Sequence, residues 1–118
     1  MSAIPKAEVA VIDRRKIANY VLDPDHRLGR HKARVFAAAL GLTKERAGLL
    51  VEALRGAIRD EDAVLRRQDA HGAHYAVEFI MTVGDRRATV RSLWTIRTHE
   101  NFPRFVTAFV AGKDDVDG

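Results

Sequence analysis

The spacing of apolar residues changes near the middle of this chain. Before Asp60, apolar residues recur every three or four positions, the spacing of amphipathic helices. After Asp60 they alternate with polar residues, the spacing of half-buried strands. A run of helices followed by a run of strands predicts an α+β domain rather than repeated βαβ units.

Three helices are predicted in the first half. The first begins after Asp13, a good N-cap, and runs to about Leu22, because Pro24 disfavours helix in the residue before it. The second ends at Gly41, and Thr43 is expected to cap the third. The apolar stripes of the three helices are Ile17, Tyr20 and Val21; Ala33, Phe36, Ala37 and Leu40; and Ala47, Leu50, Val51, Leu54, Ala57 and Ile58.

Four strands are predicted in the second half, because turn residues recur at 69–72, 84–85 and 99–102. Short turns between successive strands predict an antiparallel meander. The predicted fold class is therefore α+β, with three N-terminal helices packed on a four-stranded antiparallel meander sheet. The helices are expected to cover one face of the sheet and leave the other partly open. Residues 9–12 are a candidate for a further short edge strand.

A length of 118 residues suits one domain with a single core. We expect a flexible N-terminus at residues 1–8, a single α+β domain at 9–112 and an acidic flexible tail at 113–118. No secretory signal, no apolar run near the ~20 residues of a membrane span and no cysteine is present. These features predict a cytoplasmic protein that does not associate with a membrane, and they leave its oligomeric state open.

The net charge is +4, and the basic residues are concentrated in one segment of the chain. Between Arg14 and Arg34 there are seven Lys/Arg and two His against two Asp, and such a patch attracts polyanions. The alternative is that these side chains are merely solvated, since arginine outnumbers lysine fifteen to five throughout the chain.

The segment that leads into the second helix holds the first candidate site. Arg30, His31 and Lys32 fall at a helix N-terminus, where each cation costs ~0.3–1 kcal/mol unless an anion is bound. The alternative is a helix that begins earlier, near Asp25. At about 100° per residue, Lys32 lies beside the buried stripe and His31 faces solvent. His26, in the preceding loop, can exchange a proton at physiological pH, although a lone loop histidine is usually just solvated.

The predicted sheet supplies further candidates on the face opposite Trp94. Arg91 and Arg97 share that face, and a guanidinium at position 97 can hold a phosphate through two hydrogen bonds. The alternative for Arg97 is an exposed arginine at a strand end. Thr107 either faces the same site or reflects β-propensity alone.

No metal or cofactor site is predicted. The closely spaced pair His71 and His74 straddles a turn, with Asp69 as its nearby acidic residue, which is a poor zinc pattern. Phosphate-binding and dinucleotide-binding glycine motifs are absent from the sequence.

Two stretches resemble a widespread bacterial domain of unknown function. The first reads Tyr20-Val21-Leu22-Asp23-Pro24-Asp25-His26, then Gly29-Arg30-His31-Lys32-Ala33, and is similar to the family pattern Tyr-Leu-Leu-Asn-Pro-x-His-Pro-x-Gly-x-x-Lys-Ala. The second, residues 90–97 and 102–110, looks like the family's closing hairpin. The resemblance covers about residues 9–110. Departures are Asp23 for the usual Asn and Arg27 for the usual Pro.

The resemblance implies a function. The family occurs as small stand-alone proteins and in polymorphic toxins, and it is distantly similar to barnase–EndoU–RelE-like ribonucleases. Such enzymes cleave RNA without a metal, by attack of a ribose 2′-hydroxyl on the neighbouring phosphate. The implied catalytic residues are His26 as general base or acid, Lys32 and Arg97 on the phosphate, and Thr107 to orient it. The predicted phosphate- or RNA-binding residues are Arg30, His31, Arg91 and Arg104.

Two non-enzymatic interpretations use the same basic surface. The chain could bind RNA or another phosphorylated ligand without catalysis, or it could be one half of a small gene pair that meets an acidic partner. A basic toxin is itself expected to have an acidic protein inhibitor, because complementary charge speeds association. The predicted partners are therefore RNA and an acidic inhibitor or antitoxin.

Overall fold

All the helices precede the strands in the computed structural model, which describes residues 3–111. The predicted α+β class, with three helices and a four-stranded antiparallel sheet, is confirmed. Helix α1 is an α-helical turn at Arg14–Lys16 continued by a π-helical segment at Ile17–Val21, α2 is Arg30–Leu40 and α3 is Ala47–Asp60. The strands are β1 (Ala63–Asp69), β2 (Gly72–Val83), β3 (Arg86–Arg97) and β4 (Pro103–Val110).

The helix ends follow local sequence signals, with one exception. Asp13 caps α1 by accepting a hydrogen bond from the Arg15 amide at 2.9 Å. Gly41 ends α2 in the left-handed conformation, at φ 63°, which glycine adopts without steric cost. The expectation that Thr43 caps α3 is wrong, because a 3-10 turn at Lys44–Arg46 intervenes and Thr43 makes no side-chain capping bond.

The sheet is a meander in the order β1-β2-β3-β4, so β1 and β4 are its edges. A bulge in β4 interrupts the pairing with β3: Trp94 pairs with Phe105, but Leu93 pairs with Thr107, and Val106 is the extra residue. Without the bulge, Phe105 and Thr107 would face the same side. With it, Phe105 faces the core and Thr107 faces the open side of the sheet.

The core lies between the helices and one face of the sheet, with α2 over β3 and β4 and α3 over β2. Trp94 is 1% exposed, and its indole donates a hydrogen bond to the buried Ser92 hydroxyl at 2.8 Å. That hydroxyl donates in turn to the Val77 carbonyl at 2.8 Å. The other large side chains that are fully buried are Phe36, Ile17, Leu22, Leu40, Leu42, Leu50, Leu54, Ile58, Val21, Val77 and Val90.

The N-terminal segment also contributes to the core. Ile4, which falls in the stretch expected to be flexible, is 2% exposed and belongs to the core cluster. The edge strand considered at 9–12 is reduced to one parallel bridge between Val11 and Arg104, because Ala7–Val9 forms a 3-10 turn. The acidic tail predicted at 113–118 lies outside the described residues. Within residues 3–111, no helix has the length and apolar character needed to cross a membrane.

Candidate functional site

A lysine ammonium held at the sheet edge is the centre of the candidate site. Lys32, in the first turn of α2, donates hydrogen bonds to the Tyr20 hydroxyl and to the Thr107 hydroxyl, each at 3.2 Å. The three side chains come from α2, α1 and the edge strand β4. Lys32 stands beside the buried stripe of α2, so its stem can follow the protein surface while its charged end reaches the open side of β4. We call Tyr20, His26, Lys32 and Thr107 the Lys32 cluster.

The loop between α1 and α2 is held by His26. The His26 Nδ1 atom accepts hydrogen bonds from the Leu28 and Gly29 amides, both at 3.0 Å. The imidazole also packs edge-on against the Tyr20 ring, with centroids 4.8 Å apart. A Cβ at Gly29 would lie 2.1 Å from the Tyr20 carbonyl oxygen, so only glycine allows this close approach. These contacts explain why α2 begins where it does and why Lys32 reaches Tyr20.

The bonding of His26 limits what its ring can do. Because Nδ1 accepts two amide protons, the proton of the neutral ring resides on Nε2. In this arrangement Nε2–H is a hydrogen-bond donor. The general base or acid role predicted for His26 would require Nδ1 to become protonated, which breaks both amide bonds.

No carboxylate within the described residues neutralises the charge on Lys32. The ion pairs found among residues 3–111 do not include Lys32, and its neighbours are hydroxyls and aromatic rings. Its ammonium lies 5.2 Å from the Tyr20 ring centroid and 5.9 Å from that of Phe109. The hydrogen bond from Lys32 lowers the pKa of the Tyr20 phenol, with a smaller contribution from the Lys16 charge. A partly buried cation without a carboxylate partner is a suitable place for an anion to bind.

Arg97 lies elsewhere on the open face. It is four residues along β3 from Leu93, the partner of Thr107, which at about 3.3 Å per residue is roughly 13 Å. It lines a separate depression of about 720 Å³, which we call the sheet-end depression. The polar and charged residues that line it are Asp13, Lys16, His71, His74, Thr95, Arg97, Thr98, His99, Glu100 and Arg104. The structure therefore brings together His26, Lys32 and Thr107 but not Arg97.

Arg104 and His74, which line the depression, are each bonded to a neighbouring carboxylate. Arg104 makes a bidentate ion pair with Glu100, at 2.8 Å for both contacts, which lowers the pKa of the Glu100 carboxyl. His74 bonds to Asp69 at 3.0 Å and to the Thr95 hydroxyl at 2.9 Å. The bond from His74 is the main reason that the pKa of Asp69 falls to about 2. These pairs fix the walls of the depression.

Of the remaining predicted binding residues, Arg30 and His31 join neither site, whereas Arg91 borders the Phe109 ring that the Lys32 ammonium also approaches. Arg30 and His31 are exposed on the outer side of α2, away from its buried stripe. Arg91 makes an ion pair with Glu78 of the neighbouring strand and lies over the Phe109 ring. Their predicted role in binding phosphate stays a prediction.

The sequence patterns did not identify Tyr20 as a candidate site residue. The helical period placed it on a buried face of α1 with Ile17 and Val21, and the two neighbours are indeed buried. Tyr20 is only partly buried, because its hydroxyl extends to Lys32. The signal that could have found it was its place as the first residue of the motif that resembles the family pattern.

These features define an α+β domain with a lysine at the edge of an antiparallel sheet that has no carboxylate partner among residues 3–111. The family model described as domain of unknown function DUF6883 matches residues 3–112, so the chain belongs to that family. The predicted resemblance to a domain of unknown function is thereby confirmed, whereas the further likeness to barnase–EndoU–RelE-like ribonucleases stays a prediction. No curated protein matches the chain.

A solved structure has a similar fold. It is a chain of the contact-dependent growth inhibition toxin–immunity protein complex from Klebsiella pneumoniae 342, with a TM-score of 0.64. The similarity covers 88% of this chain and 95% of that chain, at 17% sequence identity. At this identity the comparison establishes a common fold.

Proposed function

We propose that this protein is a toxin-like module that cleaves RNA phosphodiesters without a metal ion, with the Lys32 cluster as its active site. The observation that carries the proposal is the Lys32 ammonium, which is held by two neutral hydroxyls and has no carboxylate partner among the described residues. A phosphate would supply the missing negative charge. The ammonium and the Thr107 hydroxyl would donate hydrogen bonds to its non-bridging oxygens.

The proposed reaction is transfer of a phosphoryl group within the RNA. The ribose 2′-oxygen attacks the adjacent phosphorus, the bond from phosphorus to the 5′-oxygen breaks, and the products are a 2′,3′-cyclic phosphate and a 5′-hydroxyl. One group must take the 2′ proton and one must protonate the leaving oxygen. Lys32 would stabilise the additional negative charge on the phosphorane.

Tyr20 is the proton-transfer group that fits this geometry best. Its phenol is bonded to Lys32, and that bond lowers its pKa, which favours the phenolate needed to accept the 2′ proton. The phenol formed in this way can return the proton to the leaving oxygen. In this scheme Nε2–H of His26 donates a hydrogen bond to the phosphate, while Nδ1 continues to hold the loop.

The fold comparison supports a toxin-related role. Its counterpart belongs to a complex of a toxin with an immunity protein, and a basic toxin of net charge +4 would suit an acidic inhibitor. Because that complex contains both kinds of protein, the same comparison also supports a second candidate function. In that alternative the chain is a non-catalytic module that binds a protein partner.

Purified protein and end-labelled RNA in the presence of a chelator test the first proposal. Lys32→Met and Tyr20→Phe should each lower the cleavage rate by about 100-fold or more, the usual effect of losing a transition-state donor or a general acid–base group. Lys44→Met is the matched control, because Lys44 is exposed in the 3-10 turn before α3. It removes the same charge and should leave the rate unchanged.

The second candidate makes a different prediction in the same assay. It predicts no cleavage products from wild-type protein, together with stable association with an acidic protein. Inducible expression in bacteria, with RNA integrity followed over time, adds an independent measurement. RNA that stays intact in cells and in vitro would rule out the ribonuclease proposal.

A further inference from the structure

The sheet-end depression contains the Arg97 guanidinium, which has no ion-pair partner within the described part of the chain and takes no part in the proposed active site. Arg97 is exposed at the end of β3, and the ion pairs found among residues 3–111 do not include it. His71 and His99 lie beside it in the two turns that border the depression. Arg104 and His74, by contrast, are already bonded to carboxylates.

We propose that Arg97 and the sheet-end depression bind a second phosphate of the same RNA strand, so that the substrate is an oligonucleotide laid across the open face of the sheet. This proposal rests on the proposed function, since it takes the Lys32 cluster to be the site of the first phosphate. Arg97 is roughly 13 Å along the strand from the partner of Thr107, and Tyr20, Lys32 and Thr107 are not among the residues that line its depression. The two cations therefore act on different phosphates.

A third cation lies between the two sites. Lys16 lines the sheet-end depression, and it is also close enough to Tyr20 for its charge to contribute to the lowered pKa of that phenol. The two residues are four positions apart in α1, which places them on one side of the helix. Lys32, Lys16 and Arg97 thus form a line of positive charge from the edge of β4 to the end of β3, which matches the repeated charge of a nucleic-acid backbone.

Hydrogen bonds among the protein's own groups hold the turns that border the depression. The Thr98 amide donates to the His71 carbonyl at 3.1 Å, and the Thr98 hydroxyl donates to the Ala70 carbonyl at 2.8 Å. These bonds join the turn after β1 to the end of β3. The bidentate pair of Arg104 with Glu100 holds the opposite turn. A preformed site loses less entropy when its ligand binds, which favours a specific subsite over a loose exposed arginine.

Equilibrium binding of fluorescent 2′-O-methyl RNA tests this inference, because that RNA lacks the nucleophile and cannot be cleaved. A dinucleotide and a hexanucleotide are compared at several salt concentrations. Arg97→Ala should weaken hexanucleotide binding about tenfold, the consequence of removing one charged hydrogen bond, and leave dinucleotide binding unchanged. The slope of log affinity against log salt for the hexanucleotide should fall by about 0.7, because one phosphate of the strand is no longer neutralised.

Arg87→Ala is the matched control, since Arg87 is an exposed arginine on the same face at the opposite end of β3. It should change hexanucleotide affinity less than twofold. Equal losses of affinity for both oligonucleotides, or equal losses for Arg87→Ala and Arg97→Ala, would overturn the second phosphate site. Binding of polyglutamate through Arg97, without binding of either RNA, would overturn it in favour of an acidic protein.

Cleavage of unmodified RNA, measured in parallel, separates the two proposals. If RNA binds through Arg97 but is not cleaved, the oligonucleotide site is supported and the catalytic proposal is refuted. Cleavage that depends on Lys32, with no effect of Arg97→Ala on binding, refutes the oligonucleotide site and leaves the catalytic proposal standing.

Discussion

Replacing His26 should separate a structural role from a chemical one. In His26→Ala the Leu28 and Gly29 amides lose their acceptor and the Tyr20 ring loses its edge-on partner. Two hydrogen bonds at about 0.5–1.5 kcal/mol each and one aromatic pair at about 0.5–1.5 kcal/mol predict a loss of about 1.5–4.5 kcal/mol in the free energy of unfolding. In His26→Asn the side-chain oxygen can accept from the same amides, so only about 1 kcal/mol should be lost.

Urea denaturation followed by tryptophan fluorescence measures these differences, since Trp94 lies in the core. A loss below about 0.5 kcal/mol for His26→Ala, or equal losses for the two variants, would refute the assignment of Nδ1 as the loop acceptor. The rate of RNA cleavage by His26→Asn then tests whether the imidazole takes part in the reaction. Retained cleavage assigns His26 a positioning role, whereas abolished cleavage in a stable protein assigns a direct role to Nε2.

Three further predictions concern stability. Ser92→Ala leaves the buried Trp94 indole N–H without an acceptor and should lower the free energy of unfolding by about 1–3 kcal/mol in urea denaturation; a neutral result would contradict the bond. Gly29→Ala places a methyl group against the Tyr20 carbonyl and should cost about 1–3 kcal/mol by the same measurement, and wild-type stability would show that the loop can move aside. The pKa of Asp69 is about 2 in the folded protein against an ordinary value of 3.8, so its stabilising contribution is complete above about pH 4 and is lost as the pH falls toward 2. The stability difference between wild type and Asp69→Asn should therefore shrink over that range, and a difference that does not vary with pH would contradict the assignment.

The secondary structure could be predicted because its signals are local. The stripe that contains Phe36 and Leu40 identified the buried side of α2, and both residues are fully buried. The same period placed Lys32 beside that stripe, which is where the structure has it. The prediction that Thr43 caps α3 was wrong. Helix propensity does not distinguish the 3-10 turn that follows Thr43 from the first turn of an α-helix.

The contact between Lys32 and Thr107 depends on the tertiary structure. Lys32 and Thr107 are 75 positions apart, and no periodic signal within α2 or β4 encodes their contact. The contact requires α2 to pack near the edge strand and a bulge at Val106 to turn Thr107 to the open face. Arg97, which by its residue type was an equally good ligand for the same phosphate, is kept apart by its distance along β3.

The class of fold, the buried faces and the residues with suitable chemistry could be inferred from sequence, since spacing and side-chain type are properties of each segment. Which of those residues lie together depends on the packing of the helices against the sheet. Packing brings Tyr20 to Lys32 and places Arg97 in the sheet-end depression, because the distance between two side chains depends on how whole elements are arranged.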